Sequence, residues 1–147
     1  MELRVEWQGN MAFSGITPSG HPLIMDAKDE AGGQNHGIRP MEMLLGAVVG
    51  CTGMDIIFIL KKMNIMPDDF NIEAKGERAE SHPQRFTDIY IHYTFTGDLS
   101  NDKIFRTVEL SLNKYCPVAY SLNATVHGSY AINGGEKILL DPEMGGL

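Results

Sequence analysis

Two cysteines, Cys51 and Cys116, are the residues in this sequence whose chemistry is hardest to replace. A thiolate is a nucleophile, a metal ligand and the first rung of a reversible oxidation ladder. The two are too far apart in the chain to form a C-x-x-C motif, and two cysteines in a chain of 147 residues are not a structural disulfide framework. If they pair, the pairing is chemistry. The competing reading is that each is a small apolar core residue, as many free cysteines are.

Their local settings differ. On a wheel of about 100° per residue, Leu44, Ala47, Val48, Asp55, Phe58 and Lys62 fall within about 60° of Cys51. A mostly apolar setting keeps a thiol protonated unless a cation or a helix end offsets the burial, and an ionised Asp55 would act in the same direction. An activating group for Cys51 must therefore come from elsewhere in the fold. Cys116 precedes Pro117, which disfavours the helical region for Cys116 and begins a new turn itself. Cys116 is thus placed at a helix N-cap, where free backbone N–H groups stabilise a thiolate.

The other chemical signals are weak. His21, His36, His82, His92 and His127 show no metal-ligand spacing, there is no glycine-rich phosphate loop and no G-x-S-x-G elbow, and neither a metal nor another cofactor is expected. A net charge of −7 argues against a nucleic-acid partner. The start, MELRVEWQG, lacks the pattern of a signal peptide, and no apolar stretch is expected to reach the length needed to cross a bilayer. The expectation is a cytoplasmic protein with no membrane partner.

The elements that must position the cysteines follow from periodicity. With 43% hydrophobic and 21% charged residues, the chain is expected to fold as one domain over residues 1–147. Leu3, Val5 and Trp7 alternate with polar residues, and turns at Gly9–Asn10 and 17–20 lead to strands over 11–16 and 22–26. A polar loop over 28–37 precedes a helix that opens at Pro40, carries Glu42 in its first turn and closes on Lys61 and Lys62. That helix is apolar nearly all round, which predicts enclosure on every side, and Gly46, Gly50 and Gly53 form a stripe for close approach within the chain or by a second subunit. Strands over 70–77 and 86–95 form a hairpin. A helix over 102–115, a short turn after Pro117, a strand over 125–132 and a glycine-containing end (Gly134, Gly135, Gly145, Gly146) complete an α+β order.

The segment RPMEMLLGAVVGCTGMDIIFILKKM (39–63), with GERAESHPQRFT (76–87) and KYCPVAYSLNATVHGSYAI (114–132), resembles the OsmC/Ohr superfamily of osmotically inducible and organic hydroperoxide resistance proteins, and is nearer to its OsmC-like branch. The resemblance implies strongly curved antiparallel sheets around long central helices in an intertwined homodimer with active sites at the subunit interface. It implies that Cys51 attacks an organic hydroperoxide and becomes a sulfenic acid, that Cys116 resolves it to a disulfide, and that a dithiol or lipoyl-type reductant reopens it. The family's peroxidases carry a glutamate directly after the proline. Here Met41 stands there and Glu42 follows, about 180° from Cys51 on the wheel. Arg39 and Arg4 are the candidates for the arginine that activates the thiolate. This departure keeps open a non-catalytic binding or redox-sensing protein, and a general disulfide-exchange protein is a third reading.

Overall fold

The computed structural model describes residues 1–140; Gly145 and Gly146 lie outside them. The chain divides into two units, one over Met1–Leu44 and one from Leu45 onward.

In the first unit, β1 (Arg4–Trp7), β2 (Phe13–Ile16) and β3 (Pro22–Met25) form the expected antiparallel meander in that order. Gly9 and Asn10 turn the first hairpin at positive φ, and the Trp7 indole N–H donates to the Asn10 carbonyl at 2.9 Å. The polar segment after β3 is tied down by one acid. Asp26 is buried, and its carboxylate accepts the backbone N–H groups of Ala27 (2.7 Å), His36 (3.1 Å) and Gln34 (3.2 Å). Gly33 is required here, since a Cβ would lie 2.0 Å from the Ala27 carbonyl oxygen.

The His36 N–H, with those of Ala27 and Gln34, holds the Asp26 carboxyl below its ordinary value against the opposing effect of burial. A folded-state pKa below the unfolded one gives stability that is present above the unfolded value of about 3.9 and is lost as pH falls through the folded value. Asp26→Ala should therefore melt lower than the wild type at neutral pH and lose less as pH drops below about 4. Thermal melts across that window check it; parallel curves for the two proteins would exclude the role.

Helix α1 (Pro40–Lys62) runs from the first unit into the second. The second unit continues with β4 (Asp69–Arg78), β5 (Phe86–Thr96), α2 (Asn101–Leu110), a π-helical turn (Ser111–Tyr115), α3 (Pro117–Ser121), β6 (Thr125–Ile132) and β7 (Ile138–Leu140). Its sheet has the order β4-β5-β6-β7. β4–β5 and β6–β7 are antiparallel, but β5–β6 is parallel, which corrects the expectation of purely antiparallel sheets. The reason is the connection. The chain between β5 and β6 carries α2, the π turn and α3, so it crosses over and returns in the same direction. β7, three residues long, was not foreseen.

Along β5 the predicted alternation is realised: Ile89, Ile91, Tyr93 and Phe95 are buried while Tyr90 is exposed. They share a core with Val48, Ile56 and Leu60 of α1, Ile104 and Val108 of α2, and Tyr130 of β6, and Phe70 stacks on Phe95 at 4.6 Å between centroids. α1 is not enclosed on every side within one chain. Met54 is 76% and Phe58 58% exposed. The glycine stripe is divided as well: a Cβ on Gly53 would meet Ile72 at 2.7 Å, whereas Gly46 and Gly50 face open space. α1 is long and apolar enough, by length and composition only, to cross a membrane, which corrects the sequence expectation, because its few polar residues interrupt the apolar stretch without making the helix polar on average. Its buried residues, Val48, Thr52, Gly53, Ile56 and Leu60, pack against protein as those of a core helix do.

Candidate active site

Three donor atoms meet in the second unit: the sulfurs of Cys51 and Cys116 and a carboxylate oxygen of Asp55 all lie within 4.8 Å of one another. Cys51 and Asp55 are one turn apart on α1, as the wheel requires. Cys116 arrives from the other side of the core, and the π-helical turn determines how.

The sequence predicts one continuous helix over 102–115. The α-helix instead ends at Leu110, and the Cys116 N–H bonds the Ser111 carbonyl five residues back at 3.0 Å. A π turn adds a residue to the helical turn, and such insertions concentrate at functional sites. It places Ser111 against α1, where its hydroxyl is 3.2 Å from the Thr52 carbonyl and 3.3 Å from Asp55 Oδ2. Pro117 then holds Cys116 in an extended conformation (φ −74°, ψ 103°) at the N-cap of α3.

Cys116 Sγ accepts the Ala119 N–H at 3.3 Å, so the N-cap expected from sequence is present. The cap favours the thiolate as expected, but it does not decide the state of the thiol. Cys116 is fully buried, and burial pushes the thiol up to about 12, with Cys51 alongside adding to the rise and the Ala119 and Val118 N–H groups only partly opposing it. Loss of solvation outweighs a one-turn helix end. Asp55 is also shifted upward, first by burial, with the Ser111 hydroxyl opposing. Cys51 is half-buried and carries a free thiol.

Tyr93, on β5, is fully buried, and among the described residues its hydroxyl has no hydrogen-bond partner. Burial drives its pKa upward; Thr52 opposes this, and Cys116, Asp55 and Cys51 add to it. The Thr52 hydroxyl is committed to the carbonyls of Val48 (3.0 Å) and Val49 (3.2 Å). A buried hydroxyl without a partner costs about 1–3 kcal/mol. Tyr93→Phe should therefore stabilise the reduced protein by about 1 kcal/mol or more in denaturant unfolding; an unchanged midpoint would mean that the hydroxyl is satisfied.

The three other sequence candidates, Glu42, Arg39 and Arg4, belong to the first unit and are bonded within it, Arg4 donating to the Glu6 carboxylate at 3.0 Å. Glu42 Oε2 accepts the Arg39 backbone N–H at 3.1 Å, a capping box with Arg39 at the N-cap of α1 and Glu42 at the third helical position. The Arg39 guanidinium donates to the Asn35 side-chain carbonyl. Sequence reasoning did not assign Ser111 or Tyr93 to the site and took Asp55 only as an unfavourable neighbour. The alternation of β5 was the one signal for Tyr93; for Ser111 there was none.

Two sulfurs this close can be joined to each other by an oxidation that brings them to about 2.05 Å. A groove on the sheet lined by Tyr90, His92, His127 and Ser129 includes neither cysteine.

The model of the OsmC-like protein family matches residues 32–130, two thirds of the chain and both sides of the unit boundary. This chain belongs to the OsmC family. Protein YhfA of Escherichia coli (strain K12) is 37% identical over 128 residues, covering 86% of this chain and 92% of YhfA. A hypothetical protein from Aquifex aeolicus VF5 of known crystal structure is 29% identical with a TM-score of 0.73, covering 90% of this chain and 96% of its own. The crystal structure described as an organic hydroperoxide resistance protein OsmC from Legionella pneumophila shares the fold at 16% identity and a TM-score of 0.65, covering 90% of this chain and 96% of its own. The α+β architecture with two sheets is thus that of OsmC-like proteins.

Proposed function

We propose that this OsmC-family chain is a cytoplasmic thiol peroxidase that reduces organic hydroperoxides, with its two units acting as one domain and two chains forming a homodimer. The observation that carries this reading is the approach of the Cys51 sulfur on α1 and the Cys116 sulfur at the N-cap of α3 to within 4.8 Å. Cys51 is half-buried and Cys116 fully buried, which divides the labour: the accessible sulfur meets peroxide, and the sheltered one waits to resolve. In the first step Cys51 sulfur bonds the terminal peroxide oxygen, the O–O bond breaks, and the products are a sulfenic acid and an alcohol. Cys116 displaces water from the sulfenic acid to give a disulfide, and a dithiol or lipoyl-type reductant restores both thiols. The relationship to a fold that also carries a hydroperoxide resistance protein supports the substrate class.

The test is consumption of cumene hydroperoxide by the purified reduced protein, with dihydrolipoamide or dithiothreitol as reductant. Many turnovers per chain are expected. No turnover with any alkyl hydroperoxide and any dithiol would overturn the reading.

One observation favours a second reading, a binding or redox-sensing protein without efficient turnover. Met41 stands where the resemblance implies a glutamate, and Glu42 and Arg39 are engaged in the cap of α1. A small molecule retained in native mass spectrometry, together with a single oxidation event and no turnover, would select it.

A further inference from the structure

We propose that Asp55 is the acid–base residue of disulfide closure, taking the proton from the Cys116 thiol as its sulfur attacks Cys51. The proposal deepens the reading of Cys51 and Cys116 as a redox pair and rests on that part of it. The argument begins with burial. Cys116 has no exposed surface, so bulk water cannot take its proton, and the thiol must pass it to a neighbouring group. Ala119 N–H is a donor and cannot accept it. Of the titratable side chains beside it, Cys51 carries the sulfur under attack and the Tyr93 phenol of β5 is kept protonated by burial, which leaves the Asp55 carboxylate, within 4.8 Å of both sulfurs.

The geometry around Asp55 suits that task. The Ser111 hydroxyl lies against Oδ2 and the Thr52 carbonyl, which orients the carboxylate from the same π turn that delivers Cys116. Its upward shift makes it a stronger base than an exposed aspartate and brings it nearer to the working pH, where acid–base catalysis is efficient. Among the described residues Asp55 has no ion-pair partner to hold it ionised, so it can carry a proton in both directions.

The step balances without an external oxidant. From the sulfenic acid, the Cys116 sulfur bonds the Cys51 sulfur, the S–O bond breaks with its electron pair on oxygen, and the Cys116 proton passes through Asp55 to the leaving hydroxide as water. Cys116 sulfur is oxidised by one unit and Cys51 sulfur reduced by one. From a mixed disulfide at Cys51 the same attack expels a thiolate, and Asp55 retains the proton until solvent removes it.

The second route provides a test that needs no peroxide. Cys51 is loaded with a coloured nitrobenzenethiolate as a mixed disulfide, and release of that thiolate by Cys116 is followed against pH. In the wild type the rate should fall at low pH as Asp55 becomes protonated. Asp55→Asn should close the disulfide about 10²-fold more slowly or worse, the usual range for a lost acid–base group. Its rate should also climb with pH without the wild-type break, and Asp55→Glu should recover part of the rate with a break at a shifted pH.

An Asn variant within threefold of the wild type and with the same pH profile would overturn the proposal. So would a wild-type mixed disulfide that Cys116 never resolves. If Asp55→Asn does not fold, the wild-type and Asp55→Glu profiles decide, and a wild-type rate simply proportional to hydroxide overturns it. Asp55-dependent closure in a protein that never consumes hydroperoxide would sustain this inference while refuting the peroxidase.

Discussion

Replacing Cys51 by serine should abolish hydroperoxide turnover, a loss on the order of 10³-fold or more, because a serine hydroxyl is almost never ionised and cannot form the sulfenic acid. Cys116→Ser should behave differently. Its Cys51 remains able to attack, so one equivalent of hydroperoxide per chain should be consumed in the absence of reductant, after which the reaction stops at a sulfenic acid that a dimedone adduct reveals by mass. The contrast follows from the unequal exposure of the two sulfurs, one half-buried and the other fully enclosed. Equal single-equivalent consumption by both variants would mean that either thiol can meet peroxide. That outcome would remove the assignment of roles.

The second large effect concerns assembly. Replacing Phe58 by aspartate should convert the proposed homodimer to monomer, seen as a halving of mass in sedimentation equilibrium. Phe58 and Met54 project from the exposed side of α1, where Gly46 and Gly50 face open space. Large apolar side chains concentrated this way mark an interaction surface. A carboxylate buried without a partner costs several kcal/mol in such an interface, enough to weaken dimerisation by about 10³-fold or more. The same change on a solvent-facing helix would cost little, since Phe58 is largely exposed and carries the Lys62 ammonium over its ring. A wild-type monomer at micromolar concentration, or an unaltered dimer in the variant, would exclude α1 as the interface.

Much of the secondary structure was legible in the sequence because its causes are local. Pro40 and Glu42 begin α1 and close its N-terminus as a capping box, and Lys61 and Lys62 end it. The alternation of β5 anticipated which of its faces is buried. Pro117 forced Cys116 out of the helical region and into an N-cap. Each depends on residues within about one turn or one strand.

The sequence by itself therefore determined the element order as far as β6, apart from the π turn, together with the family motifs and the placement of Cys51 on a helix and Cys116 at a cap. Only the tertiary structure decided the rest. Periodicity carries no information on strand partners, so the parallel pairing of β5 with β6 emerged from the crossover alone. The π turn moved Ser111 onto Asp55 and Cys116 next to Cys51, and a one-residue insertion in a helical turn leaves no mark in composition. The Cys116 thiol is the clearest instance. Local sequence supplied the N–H groups that favour its anion, but burial is a property of the whole core, and desolvation there is the larger force.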